Sequence, residues 1–189
     1  MKPLRVTLPS HCAQRVSPEF AAEIRGTGNT ALLSEPLLGL IGSRECPGQF
    51  LLETLEHVPQ WVKAGRVIVS GFHSPLEQQV LRSVLRRKGR LVKVLARGLD
   101  PERSVLRLTP EEGLALRESR LLVISPFGSD VTRTTRVTSL QRNRFVLALS
   151  DKTVVPHVRS GSPMEGLLRD FKDRIVPSGG ITFTNPNKT

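Results

Sequence analysis

Short, wholly apolar runs that each end in a turn of small residues constrain this chain more than any other feature. Leu37-Leu38-Gly39-Leu40-Ile41 runs into Gly42-Ser43-Arg44, and Val67-Ile68-Val69 runs into Ser70-Gly71. A strand covered on both faces reads as a continuous hydrophobic run, and ligands of open α/β sheets collect at the carboxyl ends of such strands. The two turns are therefore expected to line one crevice. Leu91-Val92-Lys93-Val94-Leu95, Leu121-Leu122-Val123-Ile124 and Thr153-Val154-Val155 read as further strands. Helical spacing between them implies right-handed crossovers and an α/β fold, a doubly wound, mostly parallel sheet with helices on both faces.

After Gly42-Ser43-Arg44, Phe50, Leu51, Leu55 and Val58 fall at helical spacing, which Pro59 is expected to interrupt. Ser74 suits an N-cap and Pro75 the first turn of the next helix, whose buried stripe is Leu76, Val80, Leu81, Val84 and Leu85. Arg82 and Arg86 lie one turn apart on its exposed side. Arg87 and Lys88 join them near the C-terminus, where cations complement the helix dipole. Thr109-Pro110-Glu111-Glu112 starts a short helix by the same capping logic. Ser129 to Ser139 reads as a polar loop carrying Arg133 and Arg136, opening into a helix over Leu140 to Leu149, and a last helix starts at Pro163. Residues 1–36 read as a lead-in packed on the core and covering a sheet edge, with Gly26-Thr27-Gly28-Asn29-Thr30 favouring turns. The main domain is expected over 37–177. A C-terminal tail, 178–189, holds one more candidate strand at Ile181-Thr182-Phe183.

The 189 residues carry 28 Lys and Arg against 17 Asp and Glu, a formal net charge of +11. Clustered cations gain affinity from phosphates by releasing counterions, so an anionic partner is the leading expectation, with a merely solvated positive face as the alternative. Aromatic residues are 4% of the chain, with one Trp and no Tyr, so stacking on unpaired bases would have to come from Phe, His or Arg planes. Cys12 and Cys46 form no Cys-x-x-Cys pair, and neither a metal site nor a disulfide framework is expected. No run approaches the roughly 18 apolar residues of a membrane span, and the first residues lack the apolar stretch of a secretory signal. The expectation is a cytoplasmic protein without cofactor or membrane partner.

Arg25-Gly26-Thr27-Gly28-Asn29 with Leu32-Leu33, then Gly42-Ser43-Arg44, Val69-Ser70-Gly71, Arg142-Asn143-Arg144 with Ala148-Leu149-Ser150, and Ser160-Gly161-Ser162 follow one another along the chain. Their order and spacing resemble the DNA-processing DprA (Smf) family, over roughly residues 18 to 177. The resemblance implies a Rossmann-like fold related to the LOG-type phosphoribohydrolases. It further implies binding of single-stranded DNA in a positive pocket, a homodimer, and a RecA-type recombinase as partner during transformation. Carried over residue by residue, it implies nucleic-acid or phosphate contacts from Gly42, Ser43 and Arg44, from Ser70 and Gly71, from Arg142, Asn143 and Arg144, and from Gly161 and Ser162. Small residues let backbone N–H groups approach an anion, and Arg presents a planar fork to phosphate oxygens. Each glycine can also serve only a tight turn.

The departures from the family pattern shape the expectation. Its Phe-Pro pair before Arg-Asn-Arg is Ser139-Leu140 here, which removes an aromatic that could stack on a base. Its Gly and Asp beyond the second turn give way to Phe72-His73-Ser74-Pro75-Leu76-Glu77, with Glu77 as a substitute for the Asp and His73 equally a site residue or a loop bystander. No segment is long enough for the added helical or winged-helix domain that many members carry, so a minimal form is expected. Gly161-Ser162-Pro163-Met164-Glu165 also resembles the Gly-Thr-x-x-Glu end of the LOG motif, although Val158-Arg159 stands where that motif has Gly-Gly. That resemblance implies hydrolysis of the N-glycosidic bond of a nucleoside monophosphate. Glu165 would stabilise the oxocarbenium charge or position a water, and Arg144 would hold the anionic part. A Glu in a first helical turn is favoured by the dipole in any case. The expected protein is a non-enzymatic binder of single-stranded DNA, with the nucleotide hydrolase, or a nucleotide-sensing domain of the same fold, as alternatives.

Overall fold

The apolar runs become strands buried on both faces. In the computed structural model, which describes residues 2–21, 23–100 and 106–177, they join an eight-stranded sheet. Its strands are β1 (Leu4–Arg5), β2 (Arg25–Gly28), β3 (Leu37–Leu40), β4 (Val67–Ser70), β5 (Arg90–Val94), β6 (Leu121–Ser125), β7 (Lys152–Val154) and β8 (Ile175–Val176). The spatial order is β1-β2-β6-β5-β4-β3-β7-β8, parallel from β6 to β8, with β2 antiparallel to β6 and β1 antiparallel to β2. The candidate strand Ile181-Thr182-Phe183 lies outside the described residues.

The helices are α1 (Ser10–Ala13), α2 (Pro18–Ala21), α3 (Gly48–Lys63), α4 (Pro75–Arg86), α5 (Pro110–Arg117), α6 (Arg136–Leu149) and α7 (Pro163–Arg169). From β3 the chain steps through β4 and β5 to β6 in one direction, so right-handed crossovers put α3, α4 and α5 on one face. α6 then carries it back across the sheet to β7 on the opposite face. Alternate strand residues feed two cores accordingly. Ile68, Leu91, Leu121 and Val123 pack with Val58, Trp61, Val80 and Val84 under α3 to α5. Val69, Val92, Val94 and Ile124 pack with Phe145, Val146 and Leu149 of α6. The chain's path parts at β3, whose neighbours are β4 on one side and β7 on the other. That is the switch point of the sheet, the place beyond the carboxyl ends of the strands where open α/β sheets take their ligands.

Three local expectations change. Arg25–Gly28, read as part of a turn, is the strand that covers the free edge of β6, with Gly26 opposite Ile124. A Cβ at Gly26 would lie 2.8 Å from Ile124 Cγ2 and 2.9 Å from both Val123 O and Val6 Cγ2, so close approach rather than β propensity selects this residue. α3 runs unbroken through Pro59. The proline forfeits a single helical hydrogen bond, and the nearby Val58 and Trp61, both fully buried, keep the segment packed as helix on the sheet. α6 starts at Arg136, inside the stretch read as a loop. Thr135 Oγ1 accepts from the Thr138 N–H at 3.1 Å, Thr138 Oγ1 accepts from the Thr135 N–H at 2.8 Å, and this capping box sets the start.

The first residues are fastened to α6. Arg15 reaches Asp151 at 3.0 Å and the Leu149 carbonyl at 3.2 Å, and Cys12 is fully buried beside Leu33 and Leu149. Cys12 and Cys46 are free thiols. Among the described residues no helix is long and apolar enough to cross a membrane. Gly26→Ala is expected to lower the unfolding free energy by about 1–3 kcal/mol through overpacking, measured by urea denaturation; an unchanged midpoint would contradict the close packing of β2 on β6.

Candidate functional site

Two adjacent strand ends supply the floor of the crevice, Gly42 after β3 and Gly71 after β4, and one carboxylate ties their loops together. Ser74 caps α4, its Oγ accepting from the Glu77 N–H at 3.2 Å, while Glu77 Oε2 accepts from the N–H groups of His73 at 2.7 Å and Ser74 at 3.3 Å. The other oxygen, Oε1, accepts from the Gly42 N–H at 2.9 Å. Glu77 is 3% exposed, so this is a buried anion satisfied by backbone donors from both loops. A Cβ at Gly42 would lie 2.6 Å from Ser74 Oγ, which explains the glycine there. Ser70 is buried and its Oγ accepts from the Phe72 N–H at 3.2 Å, shaping the second turn.

Arg142 comes up from α6 beneath this pair of loops. A Cβ on Gly71 would fall on its guanidinium, so the glycine makes room for the cation. Arg142 is 5% exposed, and neither Nε nor Nη1 has a hydrogen-bond partner. Burial pulls its pKa down and the negative charge of Glu77 opposes the pull. An arginine keeps its proton in proteins. The site therefore holds a buried positive charge with idle donors, while the nearby carboxylate is occupied by three backbone groups. Such a group is costly to the fold unless a ligand completes it.

His73 stands at the rim, in the second loop. Lost hydration first, then the charges of Arg142, Lys93 and Arg44, push its pKa from the ordinary 6.5 down to about 4. At neutral pH it is an uncharged imidazole in a positive field. Arg44 is exposed and has no hydrogen bond or ion pair among the described residues, so its guanidinium is available to a ligand. Ser43 Oγ is used within its own loop, accepting from the Glu45 N–H at 3.2 Å.

The Arg142-Asn143-Arg144 motif does not act as a unit. Successive residues of a helix point about 100° apart, and only Arg142 faces the crevice. Asn143 donates to Met164 Sδ at 3.5 Å. Arg144 is paired with Asp170 at 2.6 Å, at the C-terminal end of α7, and lies over the Phe171 ring, 5.8 Å from its centroid. Gly161 and Ser162 build the start of α7. Gly161 has φ +73° and gives its N–H to Glu165 Oε2 at 2.7 Å, and Ser162 Oγ accepts from the Glu165 N–H at 3.3 Å. Glu165 and Arg144 thus each hold a structural partner, one at either end of α7, and are not brought together as an acid and an anion holder.

Sequence reasoning passed over Lys93 and undervalued His73 and Glu77. Lys93 carries a signal in hindsight, because a lysine amid Leu91-Val92 and Val94-Leu95 sits in a buried strand. It pairs at 2.6 Å with Glu112, a side chain 2% exposed at the start of α5. Nothing in the sequence marks the conformation of Phe72, whose φ of +54° is unusual for a bulky residue.

The family model for DNA recombination-mediator protein A matches residues 9–164. Among solved structures, DNA processing protein A from Helicobacter pylori, reported with a unique single-stranded DNA binding mode, superposes with a TM-score of 0.69 at 22% identity. That match covers 93% of this chain and 81% of the other. DNA processing protein A (DprA) from Streptococcus pneumoniae gives a TM-score of 0.67 at 20% identity over 88% of this chain, which spans 56% of the pneumococcal one. No curated protein matches the sequence.

Two outcomes follow from the geometry. Glu77→Ala removes the acceptor shared by Gly42, His73 and Ser74 and is expected to cost about 2 kcal/mol or more of stability, read by denaturant unfolding; a loss confined to a few tenths would mean that the loops do not depend on it. In an NMR titration the His73 ring is expected to titrate near pH 4 in the free protein. Since the unfolded chain takes up this proton from pH 6.5 downward and the folded chain only near 4, stability from His73 is lost as pH falls through that window. An ordinary midpoint would contradict the lost hydration and positive field together.

Proposed function

The chain belongs to the DNA recombination-mediator protein A family, and from that membership we propose that it binds single-stranded DNA by seating a backbone phosphate in the crevice between Arg142 and Arg44. The observation that carries this reading is the buried Arg142 guanidinium with two idle donors. Those two donors lie covered beneath the β4 turn, with Nη1 under Gly71, so a phosphate at the mouth would be drawn by the Arg142 charge through that turn while exposed Arg44 closes over the anion from the β3 loop. Charge-assisted bonds of this kind gain in a site from which water is largely excluded. The backbone N–H of Gly42 is not part of the cradle, because Glu77 holds it.

Phosphate contacts fix position without reading bases, so the binding is proposed to be indifferent to sequence. The absence of an aromatic at Ser139 and Leu140 points the same way, leaving affinity to charge. The single-stranded DNA binding described for the Helicobacter pylori protein supports the choice of ligand. The recombinase partner and the homodimer implied by the family resemblance belong to the same proposal; sedimentation with and without oligonucleotide reads the second of these.

Titration with a labelled oligothymidylate is expected to show affinity falling with salt, with a log–log slope of about −0.7 per phosphate neutralised. Arg44→Ala is expected to weaken it about tenfold, whereas Arg144→Ala, whose side chain is committed to Asp170, should leave it within about threefold. Equal losses in the two variants, or none in either, would overturn the placement. Lowering pH toward 5 should strengthen binding, because an anion beside His73 raises its pKa and so takes up a proton; His73→Ala should flatten that dependence.

A further inference from the structure

A groove of about 660 Å³ lies between α4 and α5, and it starts beside the crevice. Phe72 and Lys93 form its inner end. Phe72 directly precedes His73, and the Lys93 charge is one of those acting on the His73 ring. Leu81, Leu85 and Leu114 give an apolar floor, Leu114 being 46% exposed. Along the α4 rim stand Arg82 and Arg86, one helical turn apart, both exposed and neither in a hydrogen bond or ion pair among the described residues. The outer end opens at Arg120, at the amino-terminal edge of the sheet.

That edge is unusually basic. Arg90 pairs with Glu35 and donates to the Gly65 carbonyl, and Arg120 pairs with Glu118 and donates to the Gly89 carbonyl at 3.0 Å, which stitches the turns before β4, β5 and β6 into one row. Exposed Lys63, Arg86, Arg87, Lys88 and Arg117 surround the row. One cation per helix end would complement the dipoles of α3, α4 and α5. Lys88 occupies the left-handed position after α4, φ +54°, where glycine is the usual residue. The charge therefore exceeds what helix termination needs. Of the groove's two carboxylates, Glu112 is paired with Lys93, and Glu111, exposed at the start of α5, keeps its negative charge on the side opposite the α4 arginines.

We propose that this groove is a second segment of the nucleic-acid path, along which a single strand seated in the crevice continues over Phe72 and the leucine floor with its phosphates on Arg82 and Arg86, toward the basic edge. The proposal rests on the crevice reading above. It assigns the excess charge a direction: α4 is about 18 Å long at 1.5 Å per residue, so a short oligonucleotide fills the crevice alone, and only a longer one reaches the groove. Apolar floor and cationic rim suit a strand whose sugars and bases are unpaired better than a duplex, whose bases are hidden.

The test compares a thymidine tetramer and dodecamer on the full chain and on Arg82→Gln/Arg86→Gln, two exposed positions whose replacement leaves the core untouched; a thermal melt verifies folding. The variant should bind the tetramer within about twofold of the parent but the dodecamer about tenfold more weakly, with its salt slope shallower by about 1.4, the loss of two phosphate contacts. Methyl resonances of Leu81, Leu85 and Leu114 should shift with the dodecamer and not with the tetramer. Unchanged dodecamer affinity, or equal loss for both lengths, overturns the groove assignment. So does competition by polyglutamate as strong as by the dodecamer, which would make the surface a site for acidic protein. Failure of the crevice reading shows differently, as Arg44→Ala leaving tetramer binding intact.

Discussion

The crevice depends on a single buried carboxylate. Glu77 accepts from the N–H groups of Gly42, His73 and Ser74, and by doing so it locks the loop after β3 to the loop that opens α4. A carboxylate with all that capacity spent on backbone donors has little left to give to Arg142, which lies buried beneath the same loops with Nε and Nη1 unused. The two features are one arrangement. The Glu77 charge still acts on the guanidinium, but with its oxygens committed to backbone donors the fold keeps a buried cation with unused N–H groups where the strands of a parallel sheet present their carboxyl ends.

That arrangement alters how the small residues are understood. Gly42 and Gly71 are needed, but the first because Ser74 and Leu76 crowd it and the second because Arg142 occupies the space of its side chain. The Gly42 N–H is already given to Glu77, so in the proposed phosphate site the turn after β3 serves by positioning charge. His73 at the rim is held neutral first by lost hydration and then by the cations around it. The groove between α4 and α5 adds Arg82 and Arg86 to the cations near the site, and it is these that the proposed path would use.

Much of this fold is legible in the sequence because the parallel strands are coded by uninterrupted apolar runs and the helices by strong caps. Ser74-Pro75 and Thr109-Pro110, each followed by its Glu, form the capping boxes that their spacing announces. What escapes is set by tertiary packing. Arg25–Gly28 has the composition of a turn and becomes a strand because β6 needs an edge partner with no side chains in the way. Pro59 stays helical because its neighbours are buried. The site is legible as a set of turns and cations, yet the sequence does not say which arginine of Arg142-Asn143-Arg144 turns inward; helical phase against the sheet decides that, sending Arg142 to Gly71 and Arg144 to Asp170. Glu165 likewise resembles a catalytic residue and is taken up by the start of α7.

The most direct measurement of the central claim is the paired effect of Arg142→Met on folding and on binding, since methionine fills similar space without charge. A buried cation kept for a ligand burdens the free protein, so the variant should unfold at higher denaturant concentration than the parent while losing most of its affinity for oligothymidylate. A variant that is less stable than the parent, or that binds the oligonucleotide as well, would show that Arg142 serves the fold and that the crevice is not built around its charge.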